Sequence, residues 1–191
     1  MLRNEVKKES DGFIEYIDRC HTPYHSVAYF SEILEKAGAY RLYEEDEWEI
    51  EPDRIYYIVR NGTLLSVFRI SSDNMPLSGG FRIAAAHHDA PGFRVKPAVS
   101  TIDGGYERLT LEPYGGLIHH VWLDRPLSCA GRLYYNCEGG MDHVDFDLQK
   151  PVAVIPSAAI HMVGDVNDNA KFDLQTEIRP FVGQPEEGCT E

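Results

Sequence analysis

Phe81-Arg-Ile-Ala-Ala-Ala-His87-His88-Asp89-Ala-Pro91 is the stretch whose reading decides the fold. A short apolar run ends in two imidazoles and a carboxylate, and a proline stops it. The pattern predicts a buried strand over 81–86 that delivers polar groups to one edge of a sheet, the edge where sites lie in open α/β folds. A His-x-Asp at such an edge offers a metal ligand, His87, followed by Asp89 as the carboxylate that orients it. A ligating imidazole usually gives its second ring nitrogen to a partner of that kind. Along a strand of period two, His88 points to the opposite face and reads as structural. Two plainer readings stand beside these. His87 can be a core histidine with a satisfied hydrogen bond, and Asp89 a turn carboxylate beside Pro91 that accepts a backbone N–H.

Upstream, Phe13, Ile14, Tyr16, Ile17 and Cys20 recur at helical spacing. Thr22-Pro23 reads as an N-cap followed by proline at the first helical position. The helix it opens is expected to bury Val27, Phe30, Ile33, Leu34 and Ala37 and to stop at Gly38. His21 and His25 bracket its start as capping partners. Ile55–Val59 and Leu64–Ile70 flank Asn61-Gly62, a strong hairpin signal.

Beyond Pro97 the texture changes. Gly104-Gly105, Gly115-Gly116 and Gly139-Gly140 punctuate the short apolar segments 109–111, 117–123 and 131–135, so this half reads as strand-rich. His119 and His120 flank Val121-Trp122 on an expected strand, and only Ala158–Met162 carries a hint of helix. The division falls between 97 and 98. Segment 1–97 is α/β, segment 98–184 is β-rich, and 185–191 is a polar tail.

The chain has 191 residues, of which 43% are hydrophobic, and a net charge of −13. That balance argues against a nucleic-acid footprint, which needs a basic face, and against electrostatic docking on anionic membranes. None of Cys20, Cys129, Cys137 and Cys189 forms a C-x-x-C pair, so the thiols read as small hydrophobes without an activating neighbour. The charged start, Met1-Leu-Arg-Asn-Glu, lacks a signal-peptide apolar core, and no apolar run approaches the roughly 18–20 residues of a membrane span. A cytoplasmic protein is expected.

These segments, taken in order, resemble the M18 metallopeptidases, the aspartyl-aminopeptidase family. The matching stretches are Phe13–Asp18 with Thr22–His25, Tyr57–Gly62, Ala86–Pro97, Glu112–Gly116, Trp122–Arg132, Ala159–His161 and Gln175–Glu177. Together they cover nearly the whole chain. The resemblance implies the N-terminal half of a zinc-peptidase α/β catalytic domain followed by an inserted β-rich dimerisation domain. It implies two zinc ions at the sheet edge, carrying a hydroxide that attacks the carbonyl after the first residue of a peptide. It also implies His87 as a zinc ligand, Asp89 as its orienting residue, and His161 as a donor that reaches into a partner subunit's site to steady the oxyanion. Homo-oligomers assembled from dimers follow, with peptides as substrates and acidic N-terminal residues suggested by the family name.

The chain departs from that pattern by ending before the family's remaining ligands, bridging aspartate and general-base glutamate. Glu186-Glu187 lie in a polar tail and do not match the family's paired glutamates. His88 and Ala90 stand where small hydroxyl residues are commoner. A catalytic zinc usually takes three protein ligands and an open position, and a two-metal site needs more. These 191 residues are therefore expected to be inactive alone. The alternative is a non-catalytic oligomerisation or peptide-binding module of the same descent. For other residues the plainer reading is the default. His161 can be a polar residue buried on its apolar segment, Arg94 and Lys96 can be ordinary strand charges rather than contacts for a substrate carboxylate, and Asp124-Arg125 can be a structural ion pair.

Overall fold

Two helices open the chain in the computed structural model, which describes residues 2–74, 79–164 and 171–185. Helix α1 spans Leu2–Arg19 and α2 spans Pro23–Lys36. The break between them follows the capping expectation. Thr22 is extended, its Oγ1 accepts the His25 backbone N–H at 3.3 Å, and Pro23 occupies the first turn. The His25 ring also meets that hydroxyl, with Nδ1 2.7 Å from Oγ1. Gly38 ends α2 with φ +80°, a left-handed conformation that costs glycine nothing.

Strands β1 (Tyr40–Arg41), β2 (Ile55–Arg60) and β3 (Leu64–Arg69) form a sheet in the order β1-β2-β3, with β1 parallel and β3 antiparallel to β2. The expected hairpin forms. Asn61 and Gly62 both take positive φ, the Thr63 N–H returns to the Arg60 carbonyl across those two residues at 3.2 Å, and the ladder pairs Arg60 with Leu64. The α1–α2 seam is aromatic, with Tyr16 against Tyr29 and Phe30, and Arg19 bridges the helices by pairing with Glu32.

The α2 burial expectation needs correction. Ser26, Val27 and Tyr29 are its buried residues, while Ile33 and Ala37 are exposed. On α1, Phe13, Ile14 and Ile17 are likewise exposed, so helical spacing named the apolar face without naming a cover for it.

The expected strand over 81–86 is also corrected. Residues 80–91 carry no regular secondary structure, and Phe81 and Ile83 are 74% and 88% exposed. A strand exists only as a rung of a ladder, and no strand pairs with this segment among the described residues.

The described chain falls into two compact units. The first joins Met1–Asp89 to Gly131–Phe146, the body of a hairpin made by β6 (Ala130–Cys137) and β7 (Gly140–Asp147). Compactness groups this hairpin with the helices, whereas sequence texture groups it with the strand-rich half. Its link is Arg132. The guanidinium forks onto Asp145 at 2.6 and 2.8 Å, lies 3.9 Å over the Tyr24 ring, and rests against Gly62.

The second unit holds Ala90–Ala130 and Asp147–Glu191. Its sheet runs β4 (Gly92–Asp103), β5 (Tyr106–Tyr114) and β8 (Phe181–Gly183), all antiparallel. Gly104 and Gly105 supply the positive φ of the β4–β5 turn. Leu111, Ile155 and Ile178 form its buried centre, with Phe93, Leu109, Trp122 and Leu127 packed around them. His119–Trp122 form a short 3₁₀ helix, not the expected strand. The His119 ring stacks on Phe93 and the His120 ring meets Phe172 edge-on. Asp124 and Arg125 do not pair with each other: Asp124 accepts the Ser157 N–H at 2.9 Å and Arg125 donates to the Val121 carbonyl at 3.1 Å. Among the described residues no helix is long and apolar enough to cross a membrane. Fold and class are thus mixed α/β, with strands dominating the second unit.

Candidate metal centre

The polar end of the 80–91 segment belongs to the first unit, and its geometry starts from one ring nitrogen. His87 Nδ1 lies 3.0 Å from the Asp89 carbonyl and 3.2 Å from Asp89 Oδ1. Both are acceptors, so this nitrogen carries the proton. In the neutral tautomer that this pairing selects, Nε2 is the free ring nitrogen, on a side chain that is 85% exposed. A ligating histidine is prepared in this way, with a carboxylate on one ring nitrogen and the other free for a cation. The Asp89 carboxylate is the less exposed partner, at 27%. The core-histidine reading of His87 does not survive that exposure.

His88, between them, is turned inward and half-buried. Its Nε2–H donates to the Thr63 carbonyl at 3.0 Å. Its own carbonyl accepts from Tyr16 Oη at 2.5 Å and from Ser26 Oγ at 3.0 Å. Sequence reading assigned His88 to the far face but missed its partners. Ser26 is a fully buried polar residue on α2, and its small hydroxyl among apolar neighbours was the one visible signal.

His161 lies in the second unit on an exposed turn at 160–162, held by the Met162 N–H to the Ala159 carbonyl at 2.8 Å. Neither the short helix nor the buried polar position forms there. Lys96 donates to Gln175 in the turn at 174–177 at 2.9 Å and Arg94 stacks 3.8 Å over Tyr114 of β5, so both charges are engaged within the second unit. Glu186-Glu187 and Cys189 lie outside the described residues. Burial pushes the Cys20 and Cys129 thiols up, away from reactivity. Among the described residues no three His, Cys, Asp or Glu side chains converge to hold a metal ion. The donor set fits one ligand and its orienting group.

Residues 16–191 match the family described as aminopeptidase I zinc metalloprotease (M18). An aspartyl aminopeptidase of Dictyostelium discoideum is 38% identical over 176 residues, a match that covers 91% of this chain and 36% of the relative. A probable M18 family aminopeptidase 2 of Pseudomonas fluorescens (strain SBW25) is 36% identical over 175 residues, covering 92% and 41%. The chain thus spans about two fifths of the length of these curated relatives. Among solved structures, the cryo-EM structure of the Ape4 and Nbr1 complex superposes with a TM-score of 0.87 at 34% identity, covering 94% of this chain and 35% of that one. The S. cerevisiae mApe1 dodecamer superposes with a TM-score of 0.71 at 28% identity, covering 96% and 40%.

Proposed function

The chain belongs to the M18 metallopeptidase family, and on that premise we propose that it forms the N-terminal part of a zinc-dependent aminopeptidase. Its substrates are peptides, from which it releases N-terminal residues with a preference for acidic ones. The observation that carries the reading is the His87 ring, protonated at Nδ1 by its pairing with Asp89 and open at Nε2.

In this proposal His87 is a metal ligand and Asp89 holds its tautomer and raises its basicity. Two zinc ions occupy the complete site, and when bound they polarise the scissile carbonyl and activate water. His161, exposed on its turn, donates toward the developing oxyanion of a site in a second subunit. Segment 1–97 contributes to the catalytic domain, the β-rich segment 98–184 pairs subunits, and 185–191 is a connecting tail. The dodecameric neighbour supports homo-oligomers built from dimers. An acidic chain with free Cys20, Cys129 and Cys137 supports a cytoplasmic protein that binds neither nucleic acid nor membranes.

One ligand cannot hold a catalytic zinc, because such sites take three protein ligands. The remaining ligands therefore come from outside the described residues, and in this proposal the 191-residue chain is inactive alone. The second reading, a non-catalytic pairing or peptide-binding module, draws on the same lack of converging donors among the described residues. The experiment is zinc-dependent release of Asp or Glu from short peptides by the complete subunit, with His87→Ala beside it. Turnover lost in His87→Ala supports the enzyme. A complete subunit with no metal-dependent turnover leaves only the module. Zinc-dependent turnover by the isolated chain would overturn the claim that it needs further ligands.

A further inference from the structure

We propose that His88 is a positioning residue that fixes the metal-binding stretch, an inference that rests on His87 being a ligand. Among the described residues no strand pairs with the 80–91 segment, and residues 81–87 are exposed. A ligand on such a segment would lose affinity to backbone freedom unless something fixed it. The structure supplies three hydrogen bonds, all to one residue. Tyr16 from α1 and the fully buried Ser26 from α2 donate to the His88 carbonyl at 2.5 and 3.0 Å. The His88 Nε2–H donates to the Thr63 carbonyl, in the turn after β2, at 3.0 Å. Tyr16 and Ser26 also meet each other, hydroxyl to hydroxyl, at 3.3 Å.

These bonds immobilise the residue that separates His87 from Asp89. The two flanking side chains can close their Nδ1 contact only if the backbone between them keeps its shape. The bonds also show why an imidazole serves here. A small hydroxyl side chain would not span from this backbone position to the Thr63 carbonyl, whereas an imidazole presents its Nε2–H at that reach. The cost is His88 Nδ1, a buried atom without a hydrogen-bond partner. An orphaned buried acceptor of that kind persists only where the other bonds outweigh it. His88 thus ties the metal-binding stretch to both helices and to the hairpin turn.

The test measures zinc affinity of the apo complete subunit by chelator competition, and reads ligand geometry from the visible spectrum of the cobalt(II) form. His88→Ala is expected to weaken zinc by about 10-fold, the lower end of the cost of losing a ligand's direct outer partner, because His88 acts through the backbone, and to alter the cobalt spectrum. His88→Gln, whose amide N–H can reach the Thr63 carbonyl, should restore most of the affinity. Thr22→Ala destabilises α2 without touching His88 and should leave affinity and spectrum unchanged. Should His88→Ala fail to fold, Ser26→Ala and Tyr16→Phe remove donors to the same carbonyl and are expected to weaken zinc in the same direction. The proposal is overturned if these variants match the wild type in both readouts while His87→Ala loses zinc. If His87→Ala also keeps wild-type affinity, it is the ligand reading itself that has failed.

Discussion

Replacing Arg132 by methionine should unfold the first unit more easily than any single exposed ion pair could account for. The side chain is 10% exposed and its partner Asp145 is 29% exposed. Removing one member of a buried pair strands the other, at a cost of about 3–5 kcal/mol. As a whole residue Asp145 is itself exposed, which puts the expectation between that range and the value of an exposed pair, about 2 kcal/mol. In a chain of this size each kcal/mol moves the midpoint by about 2–4 °C, so a fall of about 4–8 °C is expected.

Helical circular dichroism reads this directly, because both α-helices belong to the first unit. The Asp145→Asn variant and the Arg132→Met/Asp145→Asn double variant complete a cycle, in which the double should lose less than the sum by at least about 1 kcal/mol. The effect also has a pH signature. The Arg132 hydrogen bond, opposed by burial and helped by the Arg132 charge, holds the Asp145 carboxyl below its ordinary value. A lowered folded pKa stabilises above the unfolded value, near 3.9, and that contribution is lost as pH falls through the folded one. The gap between wild type and Arg132→Met should therefore narrow below about pH 4. A loss under about 0.5 kcal/mol, the range of an exposed pair, together with no coupling in the cycle, would refute the reasoning.

Gly62→Ala should be destabilising by about 1–2 kcal/mol, the cost of a left-handed non-glycine residue. Gly62 has φ +69°, and a Cβ there would sit 2.6 Å from Arg132 Nη1; denaturant unfolding that shows no loss would contradict both the turn and the clasp. Tyr57 is fully buried, with its hydroxyl 2.6 Å from Glu35 Oε1. Burial first, and the Glu35 bond second, push its pKa up to about 12. A raised folded pKa means the contribution is complete below the ordinary value near 10 and disappears as pH rises through the folded one. Ultraviolet titration should show one tyrosine ionising near 12 that Tyr57→Phe removes, and a chain whose tyrosines all titrate near 10 would refute the burial argument.

The parts of the fold that sequence displays are those with local causes. Thr22-Pro23 carries its cap in adjacent residues, Asn61-Gly62 carries its turn in backbone preference, and each formed as expected. His87 and Asp89 lie two residues apart, so their contact too was legible. What sequence hides are contacts set by topology. Arg132 and Asp145 are 13 residues apart on paired strands, and nothing in either neighbourhood names the other. Ser26 and His88 are separated by 62 residues. The 81–86 run fails as a strand for the same reason in reverse. Alternation and apolar content are local properties, but a strand requires an edge to pair with, and that edge is not among the described residues. The apolar faces at Phe13, Ile17, Phe81 and Ile83 follow suit: periodicity tells which side of an element seeks cover, and only the partner tells whether it finds it.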